Sequence, residues 1–303
     1  MKDENPPDRT AAPWRPGSVG SLVARGRAEA WRRVTSGGRW NAAIVLLALA
    51  FIGAIWIVTV ERIGYERNET LESVTVQNSN LAIALEEHAV RTFKSASQAL
   101  AQVARGHPGS GGLHDIADLV RAGAIDHSIF TVIGVADESG RPLHDSLISR
   151  SSADFTGLDF FESHRAGDTG KLFVGKPLLG PISGEWAIPV SRRINKPDGS
   201  FGGVAFAGIH PHYFTEFYRQ THLGVDGVMM LVGLDGIIRA RQSWGTLGTF
   251  GQDLTGSMLL AEQGKATSGS YLSQGRGRIE AGRRYYSYRT LAQFPFVVAV
   301  GKG

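Results

Sequence analysis

The 303-residue sequence predicts an α+β chain: an N-terminal transmembrane helix and a long stalk helix, then two tandem antiparallel five-stranded sheets with flanking helices. Three observations predict it. Residues 42–60, "AAIVLLALAFIGAIWIVTV", contain no charge and no proline. Residues 65–105 contain neither glycine nor proline. From residue 128 onward the chain runs strand, turn, strand, helix-containing loop and three more strands, and then repeats that order in a shorter form.

The apolar run comes first. Its nineteen residues at 1.5 Å rise span roughly 28 Å, close to the ~30 Å hydrocarbon thickness of a bilayer. Residues 1–60 hold eight Lys and Arg against four acids, so the remaining 24 basic and 24 acidic groups balance. The net charge of +4 therefore belongs to the N-terminal flank. The positive-inside rule places residues 1–41 in the cytoplasm and 61–303 outside it, as would fit a periplasmic domain. A cleaved signal peptide is the alternative, but a 41-residue lead and the following "VTVERIGYE" do not suit one. Residues 1–20 read as disordered, and "SLVARGRAEAWRRV" (21–34) as a solvated basic flank or a short amphipathic helix resting on Leu22, Trp31 and Val34. A neutral body disfavours nucleic-acid binding, which needs a concentrated basic face. The absence of cysteine excludes disulfides, thiolate metal sites and cysteine nucleophiles.

The breaker-free stretch predicts one helix of up to roughly 60 Å. Leu71, Val74, Asn78, Leu81, Leu85 and His88 follow helical spacing, and Ala89, Phe93, Ala96, Leu100 and Val103 continue it in a shifted register. Such a stripe is a two-stranded seam or a helix lying on a sheet. The polar early part is expected to form a stalk or homodimer seam, and the apolar later part to be docked. "GHPGSGG" (106–112) ends the helix.

The first sheet subdomain then spans residues 106–222 and the second 223–303. "SIFTVIGVADESGRPLHDS" (128–146) is a strand, a turn at Glu138–Gly140 and a second strand. "DFFESHRAG" (159–167) suits a short helix closed by glycine. "KLFVGKPLLG" (171–180), "EWAIPVSRRI" (185–194) and "FGGVAFAGI" (201–209) read as three strands, the last two joined by a Pro-Asp-Gly turn in "NKPDGS" (195–200). "HPHYFTEFYRQTH" (210–222) reads as a helix. In the second half, "GVMMLVGLDGIIRAR" (227–241) is strand, Asp-Gly turn, strand. A helix near 254–264 and three strands follow. "GRGRIEAG" (275–282) is a turn rather than a phosphate loop, because it sits in a hairpin-like region with no strand-then-helix context.

The stretches "LDFFESHRAGDTGKLFVGKPLLGPISGEWAIPVSRRI" (158–194), "DGSFGGVAFAGIHPHYFTEFYR" (198–219) and "YYSYRTLAQFPFVVAVG" (285–301) resemble the extracytoplasmic double Cache sensor domain. That module has two tandem PAS-like sheets and stands ahead of bacterial diguanylate cyclases and histidine kinases and on chemoreceptors. The resemblance covers roughly residues 62–302 and implies a small-molecule sensor in signal transduction. It departs from the amino-acid-sensing branch in two places. Phe160 and Phe161 stand where that branch has an aromatic pair preceded by arginine, and His210 ends the strand where it has aspartate. Such sensors usually continue into a second transmembrane helix and an output domain, whereas this chain stops at Gly303. A sensor fragment, a truncated product or a signalling partner carrying the output domain would each account for that.

The candidate ligand-binding residues follow from strand alternation in 185–194. Trp186, Ile188, Val190 and Arg192 share one face. Ala187, Pro189, Ser191 and Arg193 share the other. One face packs on the long helix, and the other forms a pocket wall under Phe160, Phe161 and His164. Arg192 or Arg193 could hold a carboxylate, since a guanidinium presents five fixed donors. The alternative is an arginine paired with Asp159, Glu162 or Asp168. Trp186 is a core or rim aromatic. Ser183 and Gly184 are turn residues. His210, with His212, could form a cap, a pocket group or part of a metal site, but no third ligand stands at suggestive spacing. No cofactor and no metal are expected. The extracytoplasmic part has no Gly-x-Ser-x-Gly, His-Glu-x-x-His or Walker pattern, so an enzyme is disfavoured. The competing class is a ligand-free docking module for another protein.

Overall fold

The computed structural model describes the backbone of residues 19–106, 116, 126, 128–147, 152–220, 224, 226–243, 248–275 and 282–303. Side chains are described for those residues outside 19–39, 63–71, 106 and 219–220. The expectations for residues 1–18, the amphipathic contacts of 21–34, Leu71, the loop 107–112 and most of 275–282 lie outside the described residues.

The chain forms two compact units, Met1–Glu69 and Thr70–Gly303. The first holds the apolar part of helix α1 (Val19–Gly106). Within it Trp40–Arg62, 23 residues long, is apolar enough to cross a membrane and has none of its span buried. Thr59 satisfies its hydroxyl locally by donating to the Ile55 carbonyl at 2.7 Å.

The second unit carries the rest of α1 and two antiparallel sheets. The first is built from β1 (Phe130–Asp137), β2 (Pro142–Asp145), β3 (Phe173–Val174), β4 (Leu178–Leu179), β5 (Trp186–Asn195) and β6 (Phe201–Ile209). Its order is β2-β1-β6-β5, with β3 and β4 both pairing with β5. Helix α2 (Asp159–Ala166) lies between β2 and β3 in sequence, and α3 (Pro211–Gln220) follows β6. The second sheet comprises β7 (Val228–Gly233), β8 (Ile238–Ser243), β9 (Ser268–Ser273), β10 (Arg284–Thr290) and β11 (Phe296–Lys302), in the order β8-β7-β11-β10-β9. Helix α4 (Met258–Gln263) precedes β9 and is capped by Ser257, whose Oγ accepts from Leu260 N–H. Both sheets thus share one strand order, and the tandem expectation holds. The predicted strand 171–180 does not run through: it is two short pairings interrupted at Gly175–Pro177.

The duplication reaches into the turns. Phe155 N–H donates to the Gly140 carbonyl in the first half, and Leu254 N–H to the Gly236 carbonyl in the second. Both residues sit in matching stretches, Asp154-Phe155-Thr156-Gly157 and Asp253-Leu254-Thr255-Gly256. In each, the aspartate Oδ1 accepts from the threonine N–H, at 2.8 and 2.7 Å. The repeated Asx turn feeds the chain into α2 in one half and α4 in the other.

Strand alternation sorts the apolar residues into three clusters. The central one buries Leu85, Ala89, Phe93, Ala96, Leu100 and Val103 of α1 against inward residues of both sheets, including Ile188, Val190, Ala207, Leu231, Phe296 and Val298. The outer face of the first sheet forms a cluster with α2, around Phe155, Phe160, Phe161 and Phe206. The outer face of the second does so with α4, around Leu259, Tyr271, Tyr286 and Tyr288. The shifted-register stripe is therefore docked, as expected. Two positions of the expected homodimer seam, Asn78 and Leu85, are instead fully buried within this chain, with Asn78 Nδ2 donating to the Tyr285 carbonyl at 2.8 Å. Asn78 binds α1 to its own second sheet, and Leu85 belongs to the central core.

Candidate functional site

The stretch 183–194 can now be read side chain by side chain. Ile188, Val190 and Ile194 point into the central core, and Ala187 and Pro189 point outward beneath α2 and the segment 175–185. The predicted alternation is correct, and it separates the two arginines. Arg192 lies on the helix side, where it donates to Ser97 Oγ on α1 at 2.7 Å and to the Gly170 carbonyl at 3.0 Å. Arg193 lies on the outer side but at the far end of the strand. It donates to the His164 carbonyl at the end of α2 and to Asn195 Oδ1, and its guanidinium sits 4.9 Å from the Phe201 ring centre. Asn195 in turn donates to Asp168 Oδ2 at 2.6 Å.

Ser191 and His164 complete this clamp. The Ser191 hydroxyl donates to the Phe160 carbonyl at 2.9 Å, so its oxygen is left to accept from His164 Nε2–H at 3.0 Å. That chain makes His164 Nε2–H the donor to Ser191. Together Ser191, Arg193 and His164 fasten α2 to β5, which sets Phe160 in the wall of a cavity and packs Phe161 on Phe201 at 5.5 Å. Of the eight predicted site residues, only Phe160 lines that cavity. Trp186 is half-exposed and packs at 5.4 Å on Phe250. His210 stands at the β6–α3 junction, its Nε2 3.7 Å from Glu185 Oε2 and its ring 5.2 Å from that of His212. No group of three metal-ligating side chains occurs among the described residues.

The cavity is apolar and small. Val132, Phe155, Phe160, Ala187, Pro189 and Phe206 form its walls, and Leu178, Gly180, Pro181 and Ile182 cover it. Gly208 lies in its lining, and Gly134 sits beside the Phe206 ring that forms part of the wall. A Cβ at Gly134 would lie 2.7 Å from the Phe206 ring, and one at Gly208 would lie 2.4 Å from Thr131 Oγ1 and 2.8 Å from Ala187 Cβ. The free space is about 30 Å³, room for a water or two. The matching region of the second sheet is filled by Tyr271 stacked on Tyr286 at 5.3 Å, and Tyr286 lies over Gly301.

The covering segment is strapped from below by a residue of the second sheet that sequence reasoning missed. Arg239, 3% exposed, reaches out of β8 and donates from Nε to the Gly175 carbonyl at 2.8 Å. Its two terminal nitrogens meet Asp235 Oδ1 and Oδ2 at 3.0 and 2.9 Å, and Nη1 also reaches the Ile237 carbonyl. Burial pushes the Asp235 carboxyl up, but the hydrogen bonds from Arg239 and Ile237 N–H outweigh it and hold the group below its usual range. The only sequence signal was an arginine five residues into an Asp-Gly hairpin, which reads as a solvated strand residue.

Burial lowers the pKa of His88, His164 and His210, with Arg91, Arg193 and His212 adding repulsion respectively. The unfolded chain then binds more protons, so stability falls as pH drops below about 6.5 and levels off only below the folded-state values. Urea melts of the full chain at pH 7.5, 6.5 and 5.5 should show this decline, and His164→Gln, which keeps a donor for Ser191, should reduce it. A midpoint independent of pH over that window would contradict the burial of these rings.

Two PAS-like sheets of one strand order on a shared helix, one of them holding a covered cavity, define an extracellular sensor fold. No family model matches the sequence, and no curated protein does. Solved structures do. The extracellular domain of the candidate histidine kinase rpHK1S-Z16 is 28% identical, with TM-score 0.68 over 77% of this chain and 95% of that one. The ligand-binding domain of the Pseudomonas fluorescens chemoreceptor CtaA, in complex with L-isoleucine, is 12% identical, with TM-score 0.55 over 78% and 95%. The sensor domain of the V. cholerae histidine kinase DctB is 11% identical, with TM-score 0.51 over 77% and 98%. The fold is that of a double Cache-type sensor domain.

Proposed function

We propose that the chain is a membrane-anchored extracytoplasmic sensor without catalytic activity, which binds a small molecule in the first sheet subdomain and relays its binding through α1. The observation that carries this is the match to the rpHK1S-Z16 extracellular domain, 28% identical and covered over 95% of its length, together with the apolar span Trp40–Arg62. The relatives CtaA and DctB support the same class by fold. In this reading residues 1–41 are cytoplasmic and 61–303 periplasmic, and the output domain belongs to a continuation of the chain or to a partner. A ligand acts only through its preference for one of two conformations.

The test is a thermal-shift screen of the full chain against small carboxylates, amino acids, polyamines, purines and uncharged metabolites. A ligand at 100 times its Kd adds about 2.7 kcal/mol. That moves the melting temperature by roughly 5–10 °C for a domain of this size. A flat screen, with a protein captured instead by the periplasmic part, would favour a docking module.

A further inference from the structure

We propose that the cavity under the segment 175–185 takes a small uncharged, apolar molecule rather than an amino acid or a dicarboxylate, an inference that rests on the sensor reading above. The lining carries no ionisable side chain; Phe155, Phe160, Ile182, Pro189 and Phe206 dominate it. The charged and polar groups nearest to it are already engaged. Arg192 faces the opposite side of β5 and is held by Ser97 and Gly170. Arg193 is spent on the His164 carbonyl and Asn195. The His164 Nε2–H is taken by Ser191, and the Ser191 hydroxyl by the Phe160 carbonyl. Thr131 Oγ1 donates to the Gly208 carbonyl.

A carboxylate or ammonium entering this space would find no counter-charge and would carry its full desolvation cost. An apolar molecule meets the opposite situation, because a dry apolar cavity gains contacts when it is filled. The enclosed space takes only a few atoms, so a larger guest must extend through the mouth or lift the cover. That cover is held to β5 by two short pairings, Leu178 with Ala187 and Leu179 with Trp186. The clustered rings of Phe155, Phe160 and Phe206 suit a small aromatic ring or a short alkyl chain, with a hydroxyl tolerated at the mouth.

The experiment uses the full chain in lipid nanodiscs with ¹³C-labelled isoleucine δ1 methyls. Ile182 reports from the cover, and Ile188, which points into the central core on the other face of β5, is the control. Toluene and butan-1-ol are titrated in one series, and L-isoleucine, γ-aminobutyrate and succinate in another. Saturable movement of the Ile182 resonance with toluene or butan-1-ol is expected, with none from the charged series. Ala187→Leu, which fills the space, should weaken that binding at least tenfold. Phe155→Leu, which enlarges it, should tighten toluene binding several-fold and serves if Ala187→Leu does not fold. Saturation by a charged probe alone would overturn the ligand class and leave the sensor reading standing. Silence at Ile182 to every probe would overturn both. Apolar shifts that persist unchanged in Ala187→Leu would place the probes elsewhere and overturn the proposal.

Discussion

Replacing Arg239 with methionine is expected to lower stability by about 2–4 kcal/mol, because it deletes several charge-assisted hydrogen bonds while keeping most of the apolar volume. The figure is held down because Asp235, 36% exposed in its side chain, can rehydrate. The Gly175 carbonyl is the more serious loss: it is the point at which the cavity cover is tied to the second sheet. At about 2–4 °C per kcal/mol for a domain of this size, the full chain should melt roughly 5–15 °C lower. The amides of Gly180 and Gly184, which close the cover by donating to Glu185 and Gly180 carbonyls, should also exchange faster with solvent. Arg239→Lys should not rescue, since a single ammonium cannot replace the planar fork. Gly233→Ala offers an independent route to the same defect. Its Cβ would lie 2.1 Å from Asp235 Oδ1 and 2.7 Å from Arg239 Nη1. Unchanged melting and unchanged exchange in Arg239→Met would show that the strap bears no load.

Phe93→Ala should be the more damaging change, at about 3–5 kcal/mol. The ring is fully buried at the centre of the shared core, with its centroid 5.1 Å from those of Phe294 and Phe296 and 5.8 Å from that of Phe214. Those neighbours belong to α3, to the turn before β11 and to β11 itself, while Ser97, one turn on in α1, meets Arg192 of the first sheet. Truncation therefore opens a cavity that neither sheet can collapse into alone. Urea denaturation of the full chain should show a lower midpoint, and both sheets should lose structure in one transition. A loss confined to one sheet, or below about 1 kcal/mol, would mean that the ring is less central than its packing indicates.

Much of this architecture is legible in the residues. The strand "FGGVAFAGI" begins and ends where its glycine-bounded apolar run does, and "NKPDGS" closes its hairpin with Gly199 at positive φ. The face alternation of 186–194 follows from period-two geometry alone. The role of its polar residues does not. Arg192, Arg193, Ser191 and His164 look like pocket chemistry because strand periodicity says which face a side chain takes, and nothing about what the other elements bring to meet it. Three of their acceptors are backbone carbonyls, of Phe160, His164 and Gly170, which leave no trace in residue identity. Arg239 is hidden for the same reason, its partner across the subdomains being the carbonyl of Gly175. The Asp-Phe-Thr-Gly and Asp-Leu-Thr-Gly stretches were a visible signal of duplication, short enough to be overlooked beside the repeated order of elements. Matching them would have aligned the two hairpins and shown that Phe155 and Leu254 hold equivalent places.

The single core shared by α1 and both sheets also sets the order in which the molecule can be assembled. Glu86 and its partner Arg289 are 203 residues apart in the chain, and Asn78 and Tyr285 are 207 apart. The apolar stripe of α1 is synthesised well before the strands that cover it, and β11, the central strand of the second sheet, contributes three of its closing side chains. Closing such long loops costs chain entropy before it returns burial, so folding must be slow and late. Until β11 arrives the helix presents Phe93 and Leu100 to solvent. That interval exposes apolar surface of the nascent protein to aggregation.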